Sequence, residues 1–501
     1  MFGWIVIVCF FVLLLRIYLQ RRRYVKAFES IPGSKGWPVL GNIVQLLQYN
    51  TTELHEMFVS WVQQYGSRVK IDMCVKFWIL HSSPEDIEKI ATSTNFNRKS
   101  DDYGHLVEWL GSGILLDHGA SWFVKRKALT DAFHFKVLEN FIPTSQEQSQ
   151  ILVNKLLSYG GKPVDIFPLL KLYTLDVILE TAMGVTCQAQ LNDSAYVRAV
   201  AGLSHITYWR MFNVMGFSDA TFRFTKYYQP YHEMLKVSND FTMDVITRRR
   251  QELASELPRE TTKTGDDERK KRIALLDKLL EMEIDGKKLS NEEIKNQVNN
   301  FMFAGHDTTS SALTFIIYLI AKHLDVQDRL YDEIQTVVGD GDIPVLNSSV
   351  LNQLKHLDAV IKESLRLYPP VPYFSRTIDK ETELSGVLYP PGTTVSLGVY
   401  FMHRNPLYFP NPMQFDPERF LKEAGPVTRN PYVYIPFSAG SRNCIGQKFA
   451  MNEIKVALLY TMLFCRIELE DPHLVPRLKA ELILKPDGSI PVRFIARKSK
   501  N

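Results

Sequence analysis

The chain has 501 residues, of which 45% are hydrophobic, 12% aromatic and 23% charged. This composition excludes a collagen-like, disordered or disulfide-stapled product. Lys plus Arg (59) against Asp plus Glu (55) leaves a formal charge of +4, too little to mark a nucleic-acid partner, so any basic patch is local. The five cysteines, Cys9, Cys74, Cys187, Cys444 and Cys465, are scattered without CxxC spacing. That argues against a disulfide framework or structural zinc site and places the folded part in a reducing compartment.

Residues 2–15 are all apolar or Gly, and Ile17, Tyr18 and Leu19 prolong the run past Arg16. About 18 helical residues cover about 27 Å, which suits a thin bilayer. The charges Arg21, Arg22, Arg23 and Lys26 follow the run, whereas a cleaved signal peptide carries its charges in front. The expectation is a transmembrane signal anchor over 1–20, N-terminus luminal and the bulk of the chain cytosolic. A basic stop and a Pro/Gly stretch (Ile31 to Asn42) fill 21–45, and the latter reads equally as a stiff hinge or a plain linker.

Helical periodicity dominates the remainder, for example over 145–157, 170–183 and 231–253. Strand-like runs cover 68–79, 393–397 and 481–494, the last with Pro486-Asp487-Gly488 as hairpin turn chemistry. The polar stretch 258–272 reads as an exposed loop between helices. Ser290-Asn291-Glu292-Glu293 is a capping box that opens a helix of roughly 30 residues. Its middle carries Ala304-Gly305-His306-Asp307-Thr308-Thr309-Ser310, small and polar where a core helix is most apolar. A kink is expected there, from either helix crowding or a functional role.

The segment Phe437-Ser438-Ala439-Gly440-Ser441-Arg442-Asn443-Cys444-Ile445-Gly446 stands out. A lone cysteine is ordinarily an inert core residue. Here Gly440 and Gly446 permit close backbone approach to a flat ligand, Arg442 supplies charge for an anionic group, and nearby amides can bond a thiolate. An apolar pocket raises a thiol's pKa, so a stable thiolate there needs a metal to compensate it.

These residues match the haem-binding signature Phe-x-x-Gly-x-Arg-x-Cys-x-Gly, and the chain resembles the cytochrome P-450 superfamily. Ala304 to Thr309 resembles that family's oxygen-activating helix motif, Glu363-Ser364-Leu365-Arg366 its Glu-x-x-Arg, Pro417-Glu418-Arg419-Phe420 its Pro-Glu-Arg-Phe, and Trp122 to Arg126 its Trp-x-x-x-Arg. The resemblance implies a mainly α fold with small β-sheets (α+β), the cytochrome P-450 fold, as one haem-thiolate catalytic domain over 46–501. It implies haem b with Cys444 as axial iron ligand, held by Trp122, Arg126, Arg376, Phe437, Arg442 and Gly446. Trp122 is expected to give its indole N–H, and the arginines their guanidinium donors, to haem propionates. Glu363, Arg366 and Arg419 are expected to form a buried charge cluster that fixes the cysteine loop. Asp307 and Thr308 are the implied catalytic pair, an acid and a hydroxyl that relay protons.

Several strings look like the fatty-acid ω-hydroxylase branch, family four: Trp109 to Gly113, Ala128 to Phe135 and Phe301 to Thr309. Many members of that branch carry Glu, able to form an ester with haem, where this chain has Ala304, so no such link is expected here. The implied reaction is insertion of one oxygen atom of O2 into a C–H bond of a fatty acid or related lipid. Alternatives are a haem-thiolate isomerase or dehydratase, and a non-catalytic haem-binding sensor. Candidate pocket walls are Phe303, Ala304, Thr308, Val371, Phe374 and the hairpin near Leu484, with the aromatic segment 205–212 beside an access channel or membrane. No dinucleotide fingerprint is present, so electrons come from NADPH through an external cytochrome P-450 reductase, with cytochrome b5 as a candidate second donor. Lys125, Lys127, Arg442 and Lys448 are a candidate docking patch. The implied location is the endoplasmic reticulum membrane, single-pass, catalytic domain toward the cytosol.

Overall fold

A computed structural model describes residues 2–497 apart from 75, 261–273, 285, 340–342, 344 and 422–429. The architecture is mainly helical with small sheets at the periphery. The helices that position the site are α1 (Phe2–Ala27), α2 (Thr51–Tyr65), α3 (Gly119–Thr130), α4 (Ile142–Ser158), α5 (Ile166–Ile178), α6 (Ala195–Phe212), α7 (Tyr228–Glu260), α8 (Asn291–Lys322), α9 (Lys355–Leu367) and α10 (Gln447–Phe464). The loop expected over 258–272 falls mostly outside the described residues, and α7 runs into its start.

The core is built around α8. Its first turn is closed as the sequence predicts: Ser290 Oγ accepts from Glu293 N–H at 3.2 Å, and Glu293 Oε2 accepts from Ser290 N–H at 2.9 Å. Beyond Phe301 the helix is buried on nearly every side, and Leu313, Ile316 and Ile320 are wholly buried, as befits a helix wrapped by others. It packs against α5, α9 and α10, while α10 packs on α4 and α6 on α7. The helix does not open at Ala304 to Thr309, where the kink is expected; it is continuous from Asn291 to Lys322. Thr308 Oγ1 instead donates back to Ala304 O at 2.7 Å, satisfying the hydroxyl without opening the helix.

The main sheet has β1 (Arg68–Met73), β2 (Lys76–His81), β3 (Phe374–Thr377) and β4 (Thr394–Leu397) in the order β1-β2-β4-β3. β1 and β2 are antiparallel (Arg68↔His81), β2 and β4 parallel (Trp78↔Thr394), and β3 and β4 antiparallel (Phe374↔Leu397). Near the C-terminus are β5 (Cys465–Leu469), β6 (Leu478–Ala480), β7 (Leu484–Pro486) and β8 (Pro491–Ala496). The hairpin expected over 481–494 does not form as such. β7 pairs backwards with β6 (Ala480↔Leu484), whereas β8 pairs with β5 (Cys465↔Ala496) and with Val164–Asp165. Pro486-Asp487-Gly488 therefore links two sheets.

Among the described residues, no helix is long and apolar enough to cross a membrane. The anchor expected over 1–20 is thus not shown; that stretch is helical, and many of its side chains lie outside the described residues. The C-terminal turns of α1 are tied to the main sheet. Arg21 pairs with Asp72 at 2.5 Å, Tyr24 Oη donates to Pro391 O at 2.8 Å, and Phe28 is wholly buried against Phe77 and Tyr389. The Pro/Gly stretch follows β1, with Lys70 N–H donating to Pro32 O and Asn42 N–H to Asp72 O.

The charge cluster has the expected geometry. Arg366 forks onto Glu363 at 2.7 and 2.8 Å with both side chains fully buried, and Arg419 Nε lies 3.3 Å from Glu363. Arg366 also donates to the carbonyls of His403, Pro412 and Gln414. Glu363→Gln leaves Arg366 buried beside a neutral group, so urea denaturation is expected to show a loss of about 3–5 kcal/mol; a loss below about 1 kcal/mol contradicts a structural role.

Candidate active site

The cysteine loop is shaped by backbone constraints before any side chain acts. Ser438 (φ 62°) and Gly440 (φ 71°) both take the left-handed conformation, a strained choice for serine. A Cβ at Gly440 would sit 1.9 Å from Ala91 O, so only glycine fits. Cys444 N–H donates to Phe437 O at 2.9 Å, closing the loop. Gly446 caps α10, and its N–H reaches the cysteine sulfur. The loop is also tied to the charge cluster: Arg366 donates to His403 O, and His403 Nε2 accepts from Ile435 N–H at 3.0 Å. Burial beside Arg366 and Arg404 pushes His403 down to about 3, so its imidazole stays neutral and can accept.

Cys444 opens onto an internal cavity of about 410 Å³. One wall is α8, through Phe303, Ala304, Gly305, Thr308 and Thr309; α10 adds Phe449 and Ala450. Protein atoms crowd the cysteine, and burial raises its thiol pKa against the Gly446 N–H and the Arg126 charge, which lower it. Without a further cation the sulfur is protonated at neutral pH. A bound metal ion is what makes it a thiolate.

Four cations gather at the same end. Arg442 lies over the Trp122 ring at 4.0 Å and Arg126 donates to Asn443 O and Oδ1 at 3.0 and 2.8 Å. Arg376 is buried, and Lys99 pairs with it backbone to backbone. Among the described residues none of the four forms an ion pair, and Arg442 Nη1 is buried without a partner. Burial depresses all four, and mutual repulsion adds to it in Lys99 and Arg442, the latter falling to about 9. A largely apolar cavity bounded by a thiol and three unpaired cations, with Arg376 paired to the Lys99 backbone beside them, fits an iron porphyrin whose propionates would supply the missing negative charge.

Comparison with known proteins agrees: the family model Cytochrome P450 matches residues 31–493. The chain belongs to the cytochrome P450 family. It is 37% identical over 499 residues to Cytochrome P450 4c3 of Drosophila melanogaster, covering 96% of this chain and 92% of the relative. It is 39% identical over 467 residues to Cytochrome P450 4d2 of the same fly (90% and 91%), and 36% over 494 residues to Cytochrome P450 4c21 of Blattella germanica (97% and 97%). The protein is a cytochrome P450 monooxygenase, and the family implies haem-thiolate iron and use of a redox partner.

Other expected residues of this P450 fall differently. Trp122 lines the cavity with Arg442 over its ring, but its indole N–H, expected to serve a propionate, donates to Ile114 O at 3.1 Å. That carbonyl belongs to a loop held by α8, where Gln297 Oε1 accepts from Ile114 N–H and Asn300 Oδ1 from Leu115 N–H. Asn300 Nδ2 donates to Leu110 O. Gly113 allows this approach, since a Cβ there would meet Asn300 at 2.4 Å. Asp307 faces away from the cavity and pairs with Lys171 of α5 at 2.8 Å, both almost fully buried. The Lys171 charge holds its carboxyl below the usual range. Of the expected pair only Thr308 is on the wall.

Phe303, Ala304, Val371 and Phe374 line the cavity as expected. Leu484 does not: it sits behind the wall, its carbonyl accepting from Ser311, while the β6–β7 turn presents Glu481, Leu482 and Ile483. Tyr208, Met211 and Phe212 bring the aromatic segment of α6 to the wall. Of the candidate docking patch only Lys127 and Lys448 are exposed; Lys125 pairs with Asp117 and Arg442 turns inward. Lys99, Asn300, Lys171 and Glu481 were missing from the sequence reading. Gln297, Asn299 and Asn300, three amides within four residues of a buried helix, are a visible signal for the loop contacts. Gly440→Ala should force the loop off Ala91, lowering stability by about 1–3 kcal/mol and releasing haem on gel filtration; retained haem and unchanged melting contradict the close approach.

Proposed function

We propose that this monooxygenase hydroxylates a fatty acid or related lipid, taking electrons from NADPH through an external reductase. The observation that carries this reading is the cavity itself. It is predominantly apolar, closed by aromatic and aliphatic side chains, and runs from Cys444 past Thr308 toward α6. It suits a long chain of low polarity. Relatives named Cytochrome P450 4c3, 4d2 and 4c21 cover nearly the whole chain, in keeping with the family-four strings.

Haem b bound here through the Cys444 sulfur would supply the activation of dioxygen that insertion into a C–H bond needs. Arg126, Arg376 and Arg442 would hold its propionates, with the cysteine loop as the floor. Thr308 lines the cavity from α8, and its hydroxyl, which donates to Ala304 O at rest, would turn from that carbonyl to relay a proton. It is placed to pass a proton to the reacting oxygen. Asp307, fully buried and ion-paired with Lys171, would act as the reserve behind it, exchanging protons only when that pair opens. Ala304 leaves the wall free of a carboxylate at that position, so haem stays unesterified there.

We further propose that residues 1–20 anchor the enzyme in the endoplasmic reticulum membrane with the catalytic domain, 46–501, toward the cytosol. The described side chains of α1 support this: Trp4, Ile5, Val8, Val12, Leu15 and Leu19 are all exposed, whereas the basic turn after them is bonded to the body. Exposed Lys127 and Lys448 are the candidate contacts for the reductase.

Two measurements test the reading. Reduced protein with carbon monoxide should give the thiolate-type Soret band, lost in Cys444→Ser; a histidine-type band in the wild type refutes the ligand. In NADPH consumption assays with reductase and a fatty-acid panel, Thr308→Ala should keep electron uptake but divert most of it to peroxide. Coupling equal to wild type removes Thr308 from the proton path.

A further inference from the structure

We infer that the end of the cavity between α6 and the β6–β7 turn binds an uncharged oxygen of the substrate, and that the Tyr208 hydroxyl is the group that binds it. This deepens the lipid reading above and rests on it: of oxygenated lipids, the site favours alcohols and esters over free acids.

The argument is one of charge placement. The charged residues that line the cavity are Lys99, Asp102, Arg126, Arg442 and Glu481. The three cations stand at the Cys444 end, where the propionates would use them. Glu481 stands at the other end, buried on the β6–β7 turn, and no lining cation accompanies it there. Its carboxyl is held below the usual range by His205 and Lys485. His205 Nδ1 lies at 2.8 Å and Lys485 Nζ at 2.5 Å, while Lys479, at 3.9 Å, is shared with Asp487. Lys485 is thus already paired, and His205 is already bonded to the carboxyl. A substrate carboxylate at this end would meet a buried carboxylate and no free positive charge, after losing its own hydration.

A neutral oxygen finds a different environment. Tyr208 follows His205 by three residues on the same face of α6. It is 4% exposed and lines the cavity, and its hydroxyl has no hydrogen-bond partner among the described residues. Buried hydroxyls are ordinarily bonded, so an unpartnered one at a ligand cavity points to the ligand. Burial and the Glu481 charge push the phenol pKa up, which keeps the proton in place for donation. The neighbouring phenol, Tyr373, is bonded to His55 Nδ1, leaving Tyr208 as the free donor. Phe212 packs on the Tyr208 ring at 4.8 Å, and Phe58 on both Phe212 and Tyr373, which walls the hydroxyl off from water.

The test uses the haem-loaded full chain and substrate-induced spectral shifts with four probes of equal chain length: dodecane, dodecanol, methyl dodecanoate and dodecanoate. Dodecanol and the ester are expected to bind about tenfold more tightly than dodecanoate, and Tyr208→Phe to weaken those two by about fivefold, one neutral hydrogen bond, with dodecane unchanged. Glu481→Gln is expected to narrow the gap for dodecanoate. Dodecanoate binding as well as dodecanol in the wild type, or Tyr208→Phe leaving dodecanol unchanged, overturns the inference while sparing the lipid reading. No shift with any of the four overturns both.

Discussion

The site depends on one buried ion pair that never touches it. Glu363 and Arg366, fully excluded from water, hold each other in a two-point contact. Arg366 then spends its remaining donors on three carbonyls of the chain that follows the main sheet. One of those carbonyls belongs to His403, whose neutral imidazole accepts from Ile435 N–H, and Ile435 O accepts from Ser438 N–H. A continuous run of hydrogen bonds therefore links the C-terminal turn of α9 to the loop that presents Cys444. Buried charge is poor value as bulk stabilisation, but it tolerates few geometries, and a loop with two residues in the left-handed region needs such a clamp.

A second constraint is the imbalance of charge inside the cavity. Lys99, Arg126, Arg376 and Arg442 repel one another in a poorly solvated space, and the thiol between them is held neutral by its surroundings. An anionic cofactor carrying a metal would resolve both at once, because its propionates would pair with the cations and its iron would compensate the thiolate. The polypeptide is built to be completed by that cofactor. At the far end the situation is reversed: charges are paired internally, and a phenol is left to choose among neutral groups.

The parts of the site legible in the sequence were those set by the chain's immediate neighbours. Cys444 and Gly446 are constrained within ten residues, and Glu363 and Arg366 by one helical turn, so their pattern is local and survives without tertiary context; Gly440 falls in the same pattern, although the contact that demands it, Ala91 O, is distant in sequence. Trp122 and Asp307 lay at recognisable positions too, yet their polar groups went elsewhere. An indole N–H takes the nearest carbonyl, here Ile114 O, and a carboxylate takes the nearest cation, here Lys171; neither partner is a neighbour in sequence. Leu484 was misplaced for a related reason: the strand register chosen by β6 turned Glu481 to Ile483 inward instead.

By itself, the amino-acid sequence determined the helical class, the capped central helix, the cysteine loop with its glycines, and the buried Glu-Arg pair, because each follows from conformational limits or contacts within a few residues. Folding in three dimensions decided which cations share the cavity, which acid is withdrawn from it, and which buried hydroxyls, Tyr208 among them, are left without a partner. Those outcomes depend on groups dozens to hundreds of residues apart being brought into one low-dielectric space, where a single pairing changes what every remaining group is free to do.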